Sequence, residues 1–174
     1  MISNQTYLHW QRELALNKSF RRFWLFCGIY SVGFVFLASI YFIAKGNKEI
    51  VLIAFAAFVL GRMIIPQLIY LFYKKPRPYQ QFNFHPVSSW FFSPIQKRYI
   101  SFPSDHSISF AAITTVFFYF FPPVGIVFII LTLFNGWGRV ILGYHYIIDI
   151  VAGWTIGILS AIAVIHWVVP KIIP

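Results

Sequence analysis

Acidic residues are scarce in this chain, whose 174 residues include 4 Asp and Glu against 14 Lys and Arg, for a net charge of +10. The four are Glu13, Glu49, Asp105 and Asp149. Each Asp lies within four residues of a His, in the stretches "FPSDHS" and "HYIID". Because so few carboxylates are present, this clustering indicates that both Asp residues have a specific role.

Charge of either sign is also rare: charged residues make up 10% of the chain, hydrophobic residues 59%, and the mean hydropathy is +0.73. This composition excludes an ordinary soluble domain and indicates a membrane protein. It argues against nucleic acid as the partner of the excess positive charge, which suits anionic lipid headgroups or phosphorylated substrates. The single cysteine, Cys27, excludes an internal disulfide and says nothing of redox compartment.

Apolar runs of about 20 residues predict about five transmembrane helices in a single domain, residues 23–174. We expect the first run to be retained as a helix rather than cleaved as a signal peptide. The predicted fold class is therefore all-α, a polytopic membrane helical bundle. The predicted spans are 23–44, 50–73, 104–121, 123–142 and 146–169.

Residues 1–22 mix aromatic and leucine side chains with Arg and Lys. This pattern favours an amphipathic helix lying in the membrane interface over a solvated tail. Arg62 interrupts the second predicted span, and a charge at that depth should face the bundle interior or pair with a partner.

Alternating helix directions would bring three polar clusters to one membrane face. The clusters are "KKPRP" at 74–78, "FPSDHS" at 102–107 and "GRVILGYHYIID" at 138–149. On a helix, the i,i+4 spacing of His145 and Asp149 would let the carboxylate orient the imidazole as a nucleophile. The alternative is a satisfied polar pair at a helix end.

Other members of these clusters suit phosphate chemistry. Arg77 and Arg139 can bind phosphate oxygens in bidentate fashion, and Ser104 follows Pro103 where a helix begins. His106 is a candidate general acid. Taken singly, the two arginines are better explained as headgroup anchors and His106 as a structural histidine, and Ser104 as a plain N-cap would need no function. Their convergence favours phosphoryl transfer.

The order Arg-Pro, Pro-Ser-x-His and Arg-x5-His-x3-Asp resembles the three-part signature of the type 2 phosphatidic acid phosphatase (PAP2) superfamily, integral-membrane lipid phosphatases related to vanadium haloperoxidases. The parts lie at 77–78, 103–106 and 138–149, and the resemblance covers residues 50 to 160 approximately.

Residue roles follow from this resemblance as expectations. It implies that His145 forms a phosphohistidine and is oriented by Asp149, and that His106 protonates the leaving group. It also implies that the phosphate is held by Arg77, Ser104 and Arg139. No metal or cofactor is implied.

The chain departs from the family pattern at two places. Tyr70 stands where the family usually has Lys, with Lys75 or Lys74 as the candidate substitute. Gly138 stands where Ser is usual, which would remove one phosphate hydrogen bond. Asp105, which we group with the phosphate site, is expected to cap the helix or hold a neighbouring basic side chain rather than to catalyse.

The chain lacks that Lys, has about five predicted spans and carries an amphipathic N-terminus. In these features it is similar to the short bacterial branch of the superfamily that dephosphorylates undecaprenyl pyrophosphate, and this lipid phosphate is the expected substrate. The alternatives are a phosphatidic acid or phosphatidylglycerol phosphate phosphatase, a transporter using intramembrane charges, and a metal-dependent hydrolase using His106, His145 and Asp149, which nearby arginines disfavour. The resemblance favours an extracytoplasmic site in the bacterial cell membrane, although the positive-inside rule favours the opposite face. The sequence leaves the oligomeric state open.

Overall fold

The computed structural model describes residues 2–87 and 100–172, and all regular structure within them is helical. Two π-helical segments, Phe26–Tyr30 and Val59–Ile64, join α2 to α3 and α4 to α5. The all-α prediction is confirmed for these residues. The helices are α1 (Asn4–Leu16), α2 (Lys18–Leu25), α3 (Val32–Ala44), α4 (Lys48–Phe58), α5 (Ile65–Phe72), α6 (Pro78–Gln81), α7 (Asp105–Phe120), α8 (Pro122–Ile141) and α9 (Ile147–Ile172).

Three continuous helical segments of the described chain are long and apolar enough to cross a membrane: Lys48–Phe72, Pro122–Ile141 and Ile147–Lys171. A fourth is formed if Lys18–Tyr30 and Val32–Ala44, which are bent by 46° at Ser31, count as one broken span. α7 has 16 residues, fewer than the roughly 20 that a full crossing needs. The membrane helical bundle is confirmed, and five as the number of spans stays a prediction.

α7 is the centre of the bundle and packs against α4, α8 and α9. Its contact with α9 is close because α9 presents glycine: a Cβ at Gly157 would lie 2.4 Å from the Ile108 carbonyl oxygen. Small residues of this kind let membrane helices approach at the backbone. The core between these helices is apolar, with Phe117 and Phe128 in ring contact 5.1 Å apart.

The N-terminal segment is helical, as predicted. Ser3 caps α1 and Asn17 caps α2, each through a side-chain oxygen that accepts a backbone N–H. Tyr7 and Leu14 of α1 are fully buried against the bundle. α1 therefore packs on the protein itself. Its position in the membrane interface, and the domain boundary after residue 22, stay predictions.

Candidate active site

The three polar clusters meet at one end of the bundle, as the alternation of helix directions predicted. The backbone N–H of Ser104, at the start of α7, donates to the Asp149 carbonyl oxygen over 3.0 Å. Lys75 Nζ lies 2.8 Å from Asp149 Oδ1, and Arg77 Nη1 lies 3.5 Å from the Tyr144 carbonyl oxygen. Residues from all three clusters are therefore in direct contact.

His145 lies in the turn between α8 and α9, and its ring is held by the main chain. Its Nδ1 is 2.8 Å from the carbonyl oxygen of Ser101. A carbonyl oxygen only accepts, so Nδ1 carries the proton and donates, which leaves the lone pair of the neutral ring on Nε2. His145 is 2% exposed, and its Nε2 has no hydrogen-bond partner among the described residues. The ring thus presents an unpaired basic nitrogen.

Asp149 is fully buried, and it contacts His145 less directly than the sequence predicted. Its Oδ2 accepts from Ser101 Oγ at 2.5 Å and from the Tyr146 backbone N–H at 2.9 Å. The distance from Oδ2 to His145 Nδ1 is 3.8 Å, too long for a hydrogen bond. The i,i+4 interpretation assumed that both residues are helical, but α9 begins at Ile147, after His145.

Ser101 is a residue of the candidate site that sequence reasoning missed. Its hydroxyl binds Asp149 and its carbonyl binds His145, so it links the two. The contact to His145 uses the main chain, which leaves no side-chain pattern in the sequence.

The pKa of His145 is lowered to about 4, first by burial and then by the charge of Arg77, against the opposing effect of Asp149. The imidazole is therefore neutral at neutral pH. A nucleophilic nitrogen needs this state, because a protonated Nε2 has no lone pair.

Arg77 and Arg139 each bring a guanidinium to this place. Arg139, in the last turn of α8, is 7% exposed and stacks over the Tyr144 ring at 4.6 Å. The buried Nε atoms of both arginines have no hydrogen-bond partner among the described residues. Burial lowers the pKa of Arg77, but a guanidinium stays charged at neutral pH. Both arginines offer free donors to an anion.

Ser104 is fully buried and is the N-cap of α7. Its Oγ accepts from the Ser107 hydroxyl at 3.0 Å and from the Ser107 backbone N–H at 3.5 Å. The capping role is confirmed. Its contact with a phosphate stays a prediction.

Asp105 holds a basic side chain, as expected, and that side chain is Arg62. The two form an ion pair, and Tyr70 donates its hydroxyl to Asp105 Oδ1 at 2.8 Å. Arg62 therefore has a partner, which is one of the two arrangements that its position predicted. Lys75, expected as a phosphate ligand, is paired with Asp149, and Lys74 is exposed. Contact of Lys75 with a phosphate stays a prediction.

His106 lies in the first turn of α7 and is half-buried. Together with Arg62 it borders a cavity of about 220 Å³. Arg62, Arg77, Arg139 and His145 all lie near enough to act on it electrostatically. His106 therefore lies close to Arg77, Arg139 and His145, although these three do not line the cavity.

Gly138 lies where α8 crosses the π-helical segment Phe26–Tyr30. A Cβ added at Gly138 would lie 2.7 Å from the backbone nitrogen of Gly28 and 2.8 Å from its Cα. Real Cβ contacts are not this short. Helix packing thus accounts for glycine at a position where the family pattern has Ser.

Within residues 2–87 and 100–172, no group of three or more His, Cys, Asp or Glu side chains is placed to hold a metal ion. His106, His145 and Asp149 therefore do not form the two-His, one-carboxylate cluster that the metal-dependent alternative requires. Activity without a metal stays a prediction.

Comparison with known proteins gives one family and several relatives. The family model of the PAP2 superfamily matches residues 50–173. The bacitracin transport permease protein BcrC of Bacillus licheniformis is 40% identical over 72 residues, which cover 41% of this chain and 35% of that protein. The lipid A 1-phosphatase of Rhizobium johnstonii is 34% identical over 77 residues, covering 43% and 32%. The chain thus spans about a third of the length of these curated relatives. No solved structure matches it significantly.

Proposed function

Because the chain belongs to the PAP2 superfamily, we propose that it is a multi-pass membrane phosphatase that removes a phosphate from a lipid phosphate. The favoured substrate is a polyprenyl diphosphate such as undecaprenyl pyrophosphate. The observation that carries this proposal is a set of three buried nitrogen atoms without described partners: His145 Nε2, Arg77 Nε and Arg139 Nε. Buried polar groups normally have partners. A phosphate placed among them would accept from the Nε–H groups of Arg77 and Arg139, with its phosphorus facing the Nε2 lone pair of His145.

The charge of the site supports an anionic substrate. Its cations are Arg62, Arg77, Arg139 and Lys75, and its two carboxylates are Asp105 and Asp149. The charges of these six groups sum to +2, and the proton that His106 carries as the general acid would add to it. Arg62 and Lys75 are paired with the two carboxylates, so Arg77 and Arg139 are the cations that would stabilise the charge developing on the transferred phosphoryl group.

The reaction proceeds in two balanced steps. His145 Nε2 attacks the phosphorus, the bond from phosphorus to the leaving oxygen breaks, and that oxygen keeps the electron pair and takes a proton from His106, which enters as the imidazolium and becomes neutral. Water then gives a proton to the neutral His106 and attacks the phosphorus, and the bond from phosphorus to His145 Nε2 breaks with its electron pair returning to the ring. Phosphate is released, and His145 and the protonated His106 are restored. The ring of His145 becomes positive in the first step. The Ser101 carbonyl and the Asp149 carboxylate, 2.8 and 3.8 Å from Nδ1, stabilise that charge.

Two observations favour a lipid substrate and a bacterial membrane location. Long apolar helices support a membrane location for the protein, and one relative is named as a lipid A 1-phosphatase. We place the site on the extracytoplasmic face of the bacterial cell membrane. Hydrolysis by intact cells of an added short-chain lipid phosphate that cannot cross the membrane tests this orientation.

The test of function is phosphate release from a prenyl diphosphate by protein purified in detergent, without added metal. We expect release by the wild type and trapping of an acid-labile phosphoprotein, with both lost in His145→Ala. His166→Ala is the matched control, because His166 is exposed near the other end of α9. Undiminished turnover by His145→Ala would overturn the mechanism.

Transport is the second candidate function, because the Bacillus relative is named a transport permease. Detergent micelles have no compartments, so phosphate release in them cannot arise from transport. A wild-type protein that releases no phosphate from any lipid mono- or diphosphate would favour transport.

A further inference from the structure

We propose that Arg62 is a substrate-binding residue that contacts the second phosphate of a lipid diphosphate, the phosphate that leaves with the lipid. This inference rests on the proposed function and identifies what gives the site a preference for diphosphates.

Arg62 lies in the π-helical segment Val59–Ile64, inside the long apolar span Lys48–Phe72. A charge at such a place is costly and is kept where it serves a pathway or a site. Its pair with Asp105 does not bury it, since 29% of the Arg62 side chain remains exposed. Asp105 also accepts the Tyr70 hydroxyl, so the carboxylate is held from two sides. Arg62 is thus fixed in place and still open to a ligand.

The cavity of about 220 Å³ shows which part of a substrate Arg62 would meet. Arg62 and His106 are its charged and ionisable lining residues, and Val32 on its border is 41% exposed on the outer surface of the bundle. The cavity therefore connects the proposed general acid with the surface that faces lipid. Its remaining walls are mostly apolar: Val35, Phe58, Phe110 and Ile113.

These surroundings assign the two phosphates of a diphosphate to different arginines. The transferred phosphate belongs with His145 and with the unpaired nitrogens of Arg77 and Arg139. The lipid chain belongs with the apolar walls of the cavity. The phosphate attached to that chain then lies between them, beside His106 and Arg62.

The chemistry gives Arg62 a role that depends on the substrate. In a diphosphate, the bond from the terminal phosphorus to the bridging oxygen breaks, and the lipid monophosphate leaves with the electron pair. Negative charge then grows on the phosphate beside Arg62, where a guanidinium stabilises it. In a lipid monophosphate the leaving oxygen belongs to the lipid alcohol, and no phosphate lies at this place.

The experiment compares kcat/KM of Arg62→Gln on a prenyl monophosphate and a prenyl diphosphate of equal chain length, in detergent. We expect a loss of about 10- to 100-fold on the diphosphate, the scale of a lost charged hydrogen bond, and less than about threefold on the monophosphate. Arg22→Gln is the control, because Arg22 is an exposed arginine of α2, and it should leave the ratio unchanged. Equal losses of Arg62→Gln on the two substrates would overturn the inference.

A second variant separates binding from structural support. Arg62→Gln leaves Asp105 unpaired, whereas Arg62→Gln with Asp105→Asn removes both charges. If Arg62 serves only to neutralise Asp105, the double variant regains diphosphate turnover, which would contradict the inference. If Arg62 binds the substrate, the double variant stays low on the diphosphate alone.

The outcomes also distinguish this inference from the proposed function. A wild type that cleaves both substrates, with no change of preference in Arg62→Gln, overturns only the role of Arg62. A wild type that cleaves neither overturns both. Should the glutamine variants fail to fold, Arg62→Lys, which keeps the charge but loses the bidentate fork, should shift the preference toward the monophosphate. An unchanged preference in Arg62→Lys would count against the inference.

Discussion

Replacing Gly138 with Ser is expected to destabilise the protein, although Ser is the usual family residue there and would offer the phosphate another donor. The added Cβ would lie 2.7 Å from the nitrogen and 2.8 Å from the Cα of Gly28. Both obstructing atoms are backbone, so no change of rotamer relieves the contact. Overpacking of this kind costs about 1–3 kcal/mol. At about 2–4 °C per kcal/mol for a chain of this size, Tm should fall by roughly 2–12 °C.

Gly33→Ser is the matched control, because nothing lies within 4 Å of a Cβ at Gly33 in α3. We expect its Tm to stay close to that of the wild type. The assay is thermal unfolding of purified protein in detergent, followed by intrinsic fluorescence, with kcat/KM on a lipid phosphate measured alongside. A Gly138→Ser variant as stable as Gly33→Ser and more active than the wild type would refute the reasoning, since α8 would then have room for the hydroxyl at the phosphate.

Three further predictions concern the residues around the nucleophile. Asp149→Asn should lower kcat by about 10²- to 10³-fold with little change in KM. The carboxylate lies 3.8 Å from His145 Nδ1 and stabilises the positive ring of the transition state by up to about 4 kcal/mol at an effective dielectric constant of about 20. A loss of kcat below tenfold in steady-state kinetics would contradict this. The pKa of His145, followed by NMR and assigned with His145→Gln, should lie near 4, and titration near 6.5 would be incompatible with a buried neutral ring. Because this folded-state pKa lies below the unfolded value, His145 should progressively destabilise the fold as pH falls from about 6.5 to about 4. Tyr7→Phe removes the 3.3 Å hydrogen bond to the His145 carbonyl oxygen. It should lower the free energy of unfolding, measured by chemical denaturation, by about 0.5–1.5 kcal/mol. Tyr30→Phe changes an exposed tyrosine and should not change this free energy measurably.

Much of the fold followed from hydrophobic length and chain direction. Apolar runs of about 20 residues can satisfy their backbone in lipid only as helices or closed barrels, and uncharged runs of this length indicated helices. Successive spans reverse direction, so the clusters around Arg77, Ser104 and His145 had to reach one face. The same reasoning predicted that Arg62 would face the bundle interior or have a partner, and it is paired with Asp105.

Contacts between elements were decided by the tertiary structure. Spacing along the chain fixes which residues share a face within one helix, and even that failed for His145, which precedes α9. Contacts between different elements depend on the axial offset and crossing angle of those elements. They place the Ser101 carbonyl on His145, Lys75 on Asp149, and Gly138 against Gly28. Any residue can supply a backbone carbonyl, so the sequence does not indicate which one binds His145. A lysine can pair with any of several anions. The need for glycine at 138 is evident only once the position of the opposing backbone is known.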